Sequence, residues 1–320
     1  MSPFEILEQY ELSYPGGKPE EADIDANLRR YMDNDMGYVL HSGSGYPSSL
    51  IDIPDPPAVL FFAGELEKAL QKAVVAVIGS RRSSVYGLGV ARSLSRALSS
   101  SGVCVVSGLA RGIDGEAHRG SIEGGGPTIA VLGSGIDVLY PPEHSKLSLG
   151  IIAGDGALVS EYPPGTRPDR FNFPERNRII SGLSRGVIVV EAGEKSGTMI
   201  TVNSALDQGR EVFAVPGEVT RSTSSGTNRL LKEGAHLVTS VEDVLEVLGI
   251  RVKKQAVSRL REVEGEVAVA VVQLLVDTPL HFDEIVRKLE LDPGALQAEL
   301  LMLEMQGHVV RRPGEIYTLL

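Results

Sequence analysis

The sequence is poor in the residue types that build metal sites and disulfides: it has one cysteine and no tryptophan among 320 residues. Cys104 lies in the apolar run VCVV, which excludes a disulfide framework and a thiolate metal cluster and indicates a reducing compartment. No run approaches the ~18 apolar residues of a membrane span, and the N-terminus lacks a basic region followed by an apolar one. We therefore expect a soluble, cytoplasmic protein without a membrane partner.

Motifs for the common cofactors are missing as well. The six histidines are scattered without a zinc-binding spacing. There is no G-x-G-x-x-G, and the run CVVSG ends without the acidic residue that would hold a ribose, so a nicotinamide or flavin cofactor is not expected. A G-x-x-x-x-G-K-[ST] phosphate loop is absent too. We expect no cofactor, no metal and no catalytic residues.

The chain has fewer basic than acidic residues, 31 against 42, and a net charge of -11. The deficit is uneven. Residues 1–72 hold 13 of the 42 acidic and 5 of the 31 basic residues, whereas residues 73–250 hold 18 acidic and 17 basic residues. The nearly neutral central part allows a local basic patch. The balance favours a narrow anion-binding pocket over a broad surface that coats nucleic acid.

Short apolar runs alternate with helical spacing from residue 72 onward, a pattern typical of parallel strands connected by helices. The runs are Val74–Ile78, Val103–Val106, Thr128–Leu132, Ala157–Val159, Val187–Val190, Val212–Val215 and Ala235–Val238. They predict an α/β fold with a Rossmann-like, doubly wound, mostly parallel sheet. In such sheets the ligand lies beyond the carboxyl ends of the strands.

Four segments are predicted along the chain: an acidic N-terminal extension (1–45), the Rossmann-like domain (46–250), a polar linker (251–263) and a small winged-helix domain (264–320). In the last, helices over 267–276, 282–289 and 293–306 precede two strands around Val309 and Ile316. The recognition-helix candidate PGALQAELLMLEMQG contains no arginine or lysine, and Arg311 and Arg312 of the wing are its obvious phosphate contacts. This composition favours a protein-interaction role for the winged helix.

The ends of the predicted strands carry the candidate binding residues. Gly79, Ser80 and Arg81 follow the first strand, where a helix starting near Ser83 or Ser84 would supply free N–H groups for a phosphate. Gly108 and Gly112 follow the second strand and would permit tight turns and close approach of a ligand backbone.

A second helix start follows the strand GVIVV. Gly197 and Thr198 begin this helix and predict another anion-binding terminus, beside Glu191, Glu194 and Lys195.

Two further patterns have two interpretations each. In FNFPERNRIISGLS, Phe173, Arg176 and Arg178 either line a surface for an anionic, flat ligand such as single-stranded nucleic acid, or simply end a helix above a packed ring. Asp114 and His118, four residues apart on a predicted helix, form either a surface contact or a catalytic pair, and the first is the commoner case.

Several blocks together resemble the DNA-processing protein A (DprA) family between about Tyr46 and Val238. These are GSR at 79–81, SGLARGIDGEAHRG, AVLGSGIDVLYPPEH, SEYPPGTRP, FPERNRIISGLS, EAGEKSGTMITVNSALDQGREVFAVPG and GTNRLLKEGAHLV. The resemblance implies a Rossmann-like domain that binds single-stranded DNA, forms a homodimer and loads the RecA recombinase during natural transformation. Many family members carry a longer N-terminal helical domain than the short acidic extension of this chain.

By the same resemblance, the DNA contacts are Arg81, Arg170, Phe173, Asn177 and, less directly, Arg176 and Arg178. Arg81 and Arg170 would neutralise phosphates, Phe173 would stack on a base, and Asn177 would bond a base edge or hold the loop.

Two alternatives remain open from the sequence. The EAGEKSGT loop is similar to the glycine and threonine loop of nucleotide phosphoribohydrolases, with Glu191 or Glu194 as acid or base, but the denser P-G-G-x-G-T signature of those enzymes is missing. In the other alternative the protein is a scaffold and its arginines are structural.

Overall fold

The computed structural model describes residues 36–41, 43–194, 196–250, 265–275, 279–312 and 314–319. The chain divides into two compact units, Met1–Arg251 and Val252–Leu320. The predicted linker, 251–263, and most of the predicted N-terminal extension lie outside the described residues. Within the described ranges, no helix combines the length and the apolarity needed to cross a lipid bilayer.

Among the described residues of the first unit, nine strands form one central sheet in the order β1-β2-β6-β5-β4-β3-β7-β8-β9. The strands are β1 (Met36–Leu40), β2 (Val59–Gly64), β3 (Val74–Ile78), β4 (Cys104–Ser107), β5 (Thr128–Val131), β6 (Ala157–Ser160), β7 (Gly186–Val189), β8 (Glu211–Ala214) and β9 (His236–Leu237). From β6 to β9 all neighbours pair in parallel. The predicted parallel sheet is confirmed.

Helices pack on both faces of this sheet. They are α1 (Ser48–Ile51), α2 (Leu66–Leu70), α3 (Val85–Ser100), α4 (Ile113–Glu123), α5 (Ser145–Ala153), α6 (Asn172–Leu183), α7 (Thr198–Asp207), α8 (Ser225–Lys232) and α9 (Val241–Val247), with 3-10 turns at Pro142–His144 and Ser222–Ser224. Alternate residues of β3 point to opposite faces: Ala76 and Ile78 join one core with α6 and α7, whereas Val75 and Val77 join another with α3, α4 and α9. The doubly wound architecture is therefore also confirmed.

The strand order places the topological switch point at β3. Its neighbours are β4 on one side and β7 on the other, and the chain continues outward from both. The loops that follow β3, β4 and β7 consequently meet at one edge of the sheet. Ligands of open α/β sheets bind in this crevice.

The sheet begins earlier in the chain than the boundary predicted at residue 46. Met36–Leu40 pairs antiparallel with Val59–Gly64, which pairs antiparallel with Ala157–Ser160. Both strands therefore extend the sheet at its edge, and the segment YPSSLIDIPDPP connects them. Its prolines suit a connection because they cannot continue a helix.

In its described residues the second unit contains three helices and a three-stranded sheet, and it confirms the predicted winged helix. The helices are α10 (Glu266–Leu275), α11 (Phe282–Leu289) and α12 (Pro293–Met305). Strands β10 (Leu280–His281), β11 (Val309–Arg312) and β12 (Ile316–Leu319) pair antiparallel in the order β10-β12-β11. The two-residue strand β10 was not predicted, because it is too short for a period-two pattern.

Candidate functional site

A cavity of about 740 Å³ opens at the carboxyl end of β3, between the start of α6 and the start of α7. It is lined by Ile78, Gly79, Ser80, Arg81, Arg82, Ala110, Asp114, Tyr140, Pro168, Asp169, Arg170, Phe173, Pro174, Arg176, Asn177, Ile180, Ser196, Gly197, Thr198, Ile200 and Thr201. We call it the switch-point cavity. Nine of the twelve residues predicted for the site lie in this wall; Gly108, Gly112 and Arg178 do not.

The loop after β3 is fixed by backbone contacts to its neighbours. The Ser80 N–H donates to the Glu191 carbonyl at 2.8 Å, and the Ser80 carbonyl accepts from the Ile113 N–H at 3.3 Å. The Ser80 hydroxyl accepts from the Arg82 N–H at 3.0 Å. These contacts tie the loop to the end of β7 and the start of α4, so that the exposed side chain of Arg81 projects from a rigid base.

Arg81 lies over the aromatic ring of Phe173. Its guanidinium carbon is 4.9 Å from the ring centroid, within the range of a cation–π contact. Phe173 belongs to the first turn of α6 and is half-buried. The pair brings together a cation from the loop after β3 and a ring that is 92 positions away in the sequence.

Arg170 and Asn177 flank this pair on the segment that contains α6. Arg170 is exposed, and its guanidinium carbon lies 4.6 Å from the ring centroid of Phe171. The side-chain oxygen of Asn177 accepts a hydrogen bond from Nε of Arg176 at 3.1 Å. Asn177 therefore holds its neighbour in place and also faces the cavity.

Arg176 differs from Arg81 and Arg170 because it is only 3% exposed. Its Nη1 donates to the Gly108 carbonyl at 2.8 Å and to the Val131 carbonyl. Burial lowers the pKa of its guanidinium to about 10, and the Asp114 carboxylate opposes this shift. Through its Nη1 group, the guanidinium thus connects α6 to the ends of β4 and β5.

The two glycines after β4 make room for protein groups. A Cβ at position 108 would overlap the Arg176 guanidinium, and one at position 112 would overlap the Ser80 carbonyl oxygen. Gly112 also has a φ of 77°, which disfavours other residues. The prediction that these glycines admit a ligand backbone is corrected: the space they leave is filled by Arg176 and by the loop after β3.

Arg178 points away from the switch-point cavity. Its terminal nitrogens donate to both carboxylate oxygens of Glu161, at 2.7 and 2.6 Å, and its Nε donates to the Asp55 carboxylate at 2.9 Å. This bidentate arrangement connects α6 to the end of β6 and to the segment between β1 and β2. The geometry gives Arg178 a structural position, in contrast to the predicted DNA contact.

The N-terminus of α3, the helix that follows Arg81, does not provide an open anion-binding site. The Glu191 carboxylate, which is buried, accepts from the Ser84 N–H at 2.8 Å and from the Ser84 hydroxyl at 2.6 Å. Ser84 is the N-cap of α3 and accepts from the Gly87 N–H at 3.0 Å. A protein carboxylate therefore occupies the place predicted for a phosphate at the start of α3.

The start of α7 faces the cavity instead. Ser196, Gly197 and Thr198 line its wall, and the Ser196 hydroxyl accepts from the Thr198 N–H at 3.2 Å. Lys195, predicted beside this terminus, lies outside the described residues. Of the two predicted helix ends, the second is the one that opens onto the cavity.

Asp114 and His118 are buried, so the predicted surface contact is wrong. Asp114 lies in the cavity floor, where burial raises the pKa of its carboxyl against the opposing charges of Arg176 and Arg81. His118 Nδ1 lies 2.8 Å from the Thr128 hydroxyl, which itself donates to the Val105 carbonyl. The two side chains thus serve different parts of the core and share no reacting centre.

Sequence reasoning missed Tyr140. Its ring centroid lies 5.6 Å from that of Phe173, and it forms part of the cavity wall. Tyr140 follows β5 in AVLGSGIDVLYPPEH, a block quoted above for its resemblance. Its position after a strand on the same sheet edge was the available signal.

A Rossmann-like fold with arginines and aromatic rings gathered at its switch point defines a protein with a crevice that can hold a flat, anionic ligand. Comparison with known families specifies the class further. Residues 37–249 match the family of DNA recombination-mediator protein A, and residues 262–315 match the DprA winged helix domain. The chain belongs to the DNA recombination-mediator protein A, or DprA, family.

Curated relatives agree with this assignment. The chain is 48% identical to Protein Smf of Escherichia coli strain K12, over 63% of this chain and 54% of that protein. It is 47% identical to DNA processing protein DprA of Streptococcus pneumoniae strain R6, over 62% of this chain and 70% of that protein. The chain thus spans only about half the length of the Escherichia coli relative.

Solved structures give the same result. A crystal structure of DprA from Streptococcus pneumoniae matches with a TM-score of 0.64 and 43% identity, over 69% of this chain and 77% of that one. DNA processing protein A from Helicobacter pylori, whose structure concerns its single-stranded DNA binding mode, matches with a TM-score of 0.60 and 30% identity, over 67% of this chain and 95% of that one.

Proposed function

We propose that the switch-point cavity binds single-stranded DNA and that the protein acts on DNA without catalysing a reaction. The observation that carries this proposal is the placement of Arg81 over Phe173, 4.9 Å from the ring centroid, in the wall of one cavity with the exposed Arg170. Cations neutralise phosphates, and a ring stacks on a base. A nucleic acid whose bases are exposed can use both kinds of group at once.

The shape of the site favours a single strand over a duplex. Phe173 is half-buried inside a concave wall. A base can reach such a ring only when it is free to turn away from its own strand, since paired bases are stacked within the duplex. The basic residues also form a local cluster within an acidic chain, which limits non-specific coating of duplex DNA.

Family membership supports the cellular part of the proposal. We infer that the protein protects single-stranded DNA, forms a homodimer and loads RecA onto the strand during natural transformation and recombination, in the cytoplasm. The Helicobacter pylori relative, whose structure concerns single-stranded DNA binding, supports the ligand most directly. The assembly and the RecA step rest on family membership alone.

The two glutamates predicted as acid or base for the alternative enzyme, a nucleotide phosphoribohydrolase, are placed unfavourably for that role. Glu191 is 2% exposed, and both of its oxygens accept hydrogen bonds from Ser84. Neither Glu191 nor Glu194 is part of the cavity wall. We expect no release of free base when the protein is incubated with nucleoside monophosphates, and measurable release would favour the enzyme.

Substitutions on the cavity wall test DNA binding. Arg81→Ala should weaken binding of a labelled oligothymidine at least about tenfold, because it removes a phosphate contact and the cation over Phe173. Phe173→Leu should weaken it about 5- to 150-fold through lost stacking. Fluorescence anisotropy measures both affinities.

Arg92→Ala is the matched control. Arg92 is also exposed but pairs with Glu123 and Glu116 outside the cavity wall. Its substitution should leave the affinity unchanged. Equal affinity of wild type and Arg81→Ala would contradict the proposal, provided that urea unfolding shows both to be folded.

A further inference from the structure

Phe173 has an aromatic neighbour, Tyr140, in the wall of the switch-point cavity. The ring of Tyr140 lies 5.6 Å from Phe173 between centroids, at an interplanar angle of 41°. A base inserted between two rings would need about 6.8 Å, which is two stacking steps of about 3.4 Å. The gap is therefore too narrow for a sandwich, and the two rings can serve only as successive platforms.

The two rings differ in their surroundings. Phe173 has the guanidinium carbons of Arg81 and Arg176 at 4.9 and 5.9 Å from its centroid, and it is half-buried. Tyr140 is 37% exposed. It therefore offers a base a more open ring than Phe173 does, in the wall of the same cavity.

A cation stands beside Tyr140 on the loop after β4. The Nε of Arg111 contacts the Glu143 carboxylate, and Glu143 together with the nearby Tyr140 hydroxyl raises the pKa of the Arg111 guanidinium. The Arg111 and Glu143 side chains are 57% and 48% exposed, so their ion pair is weak and open to competition. A guanidinium also carries four further N–H donors on its two terminal nitrogens.

We propose that Tyr140 and Arg111 form a subsite for a second nucleotide, next to the one held by Phe173 and Arg81. The base of this nucleotide stacks on the outer face of Tyr140, and its phosphate accepts hydrogen bonds from Arg111. The subsite rests on the proposed function, because it continues the same strand. Stacking is tolerant of base identity, so the subsite adds affinity and length dependence without sequence preference.

Fluorescence tests the placement of the base directly. The chain has no tryptophan, so Tyr140→Trp creates a single indole. Tyr38→Trp is the matched control, since Tyr38 is also 37% exposed but lies on the edge strand β1. We expect oligothymidine to quench the emission of the first variant and leave that of the second unchanged. Equal responses of the two indoles would overturn the subsite.

Affinity measurements test the energetic contribution. Tyr140→Leu should weaken oligothymidine binding about fivefold or more, and Tyr140→Phe should bind like wild type because it keeps the ring. Arg111→Ala should lower the slope of log K against log salt by about 0.7, the value for one phosphate contact on a single strand. The control Arg221→Ala, which also loses an arginine held by a glutamate through Nε, should keep the wild-type slope.

The outcomes separate this inference from the proposed function. If wild type binds and Arg81→Ala does not, while Tyr140→Leu and Arg111→Ala bind like wild type, the cavity binds DNA and the second subsite is wrong. If wild type itself fails to bind single strands at low salt, both proposals fail together. Thermal unfolding of each variant shows whether a lost affinity reflects a lost fold.

Discussion

The switch-point cavity has two layers that use the same residue types for different purposes. In the exposed layer, Arg81 and Arg170 lie against aromatic rings and point toward the opening. In the buried layer beneath it, Arg176 donates to main-chain carbonyls and lies near the carboxyl of Asp114. Residue type and sequence proximity therefore do not decide what an arginine does here. Burial and hydrogen bonds to the protein decide it, because the Arg176 guanidinium is buried and its Nε and Nη1 groups donate to protein oxygens.

The two layers depend on each other. The buried layer connects the ends of β4 and β5 to α6, and the segment that contains the start of α6 also carries Arg170 and Phe173 of the cavity wall. We expect substitutions in the buried layer to change the free energy of unfolding, and substitutions in the exposed layer to change DNA affinity alone.

The largest effect is expected from Arg176→Met. This substitution leaves the carbonyls of Gly108 and Val131 without their donor and removes a positive charge near buried Asp114. Breaking such a buried arrangement should lower the free energy of unfolding by about 3–5 kcal/mol. Urea denaturation measures it, with Arg170→Met as the exposed control that should change stability by less than about 0.5 kcal/mol. Equal stabilities of the two variants would remove the distinction between the layers.

The next effect concerns pH. Burial lowers the pKa of His118 to about 3, whereas an unfolded histidine has a pKa of about 6.5. Between these values the unfolded chain binds a proton that the folded chain does not, so stability is full above pH 6.5 and falls as the pH drops. From pH 6.5 to pH 5 the cost from this residue is about 2 kcal/mol.

The variant His118→Asn isolates this contribution, because its amide can still donate to Thr128 and does not titrate in this range. The difference in unfolding free energy between wild type and variant should change by about 2 kcal/mol across the same interval. A constant difference would mean that His118 is protonated in the folded protein.

A smaller effect is expected in the exposed layer from Arg170→Ala. It should weaken oligothymidine binding about fivefold, since an exposed ion pair contributes up to about 1 kcal/mol. The salt slope should fall by about 0.7 while the urea midpoint stays unchanged. A shifted urea midpoint would show that Arg170 stabilises the fold, as the buried layer is expected to do.

The smallest effect is expected from the winged-helix unit. Helix α12 has no arginine or lysine and exposes Leu301, Met302 and Met305, which suits a protein partner better than a phosphate backbone. Arg312→Ala should therefore leave the affinity of the full chain for oligothymidine within about twofold of wild type. A loss of affinity as large as that expected for Arg170→Ala would indicate that the wing contacts DNA.

The sequence predicted the parallel strands well, because their apolar runs record burial on both faces of the sheet. It also indicated strand ends whose residues line the switch-point cavity. The division among the arginines of α6 was partly readable: Arg176 lies three and four residues before Ile179 and Ile180, in register with the buried stripe of the helix. A cation at a core position of an amphipathic helix predicts a buried, bonded group.

Other features depend on contacts between distant residues and have no local signal. The partners of Arg178 are Glu161 and Asp55, which are 17 and 123 positions away. Glu191 reaches the start of α3 across 107 positions. No spacing rule connects such pairs, so the predicted phosphate seat at α3 and the predicted DNA contact of Arg178 could be corrected only by the fold.

The central claim is that the exposed layer forms a narrow single-strand site. The most direct test is fluorescence anisotropy of labelled oligothymidine with the wild-type protein at several salt concentrations, with unlabelled duplex as competitor. We expect tight binding that duplex does not displace, with a slope of log K against log salt that corresponds to only a few phosphate contacts. Absence of binding at low salt, or displacement by duplex as readily as by single strand, would contradict it.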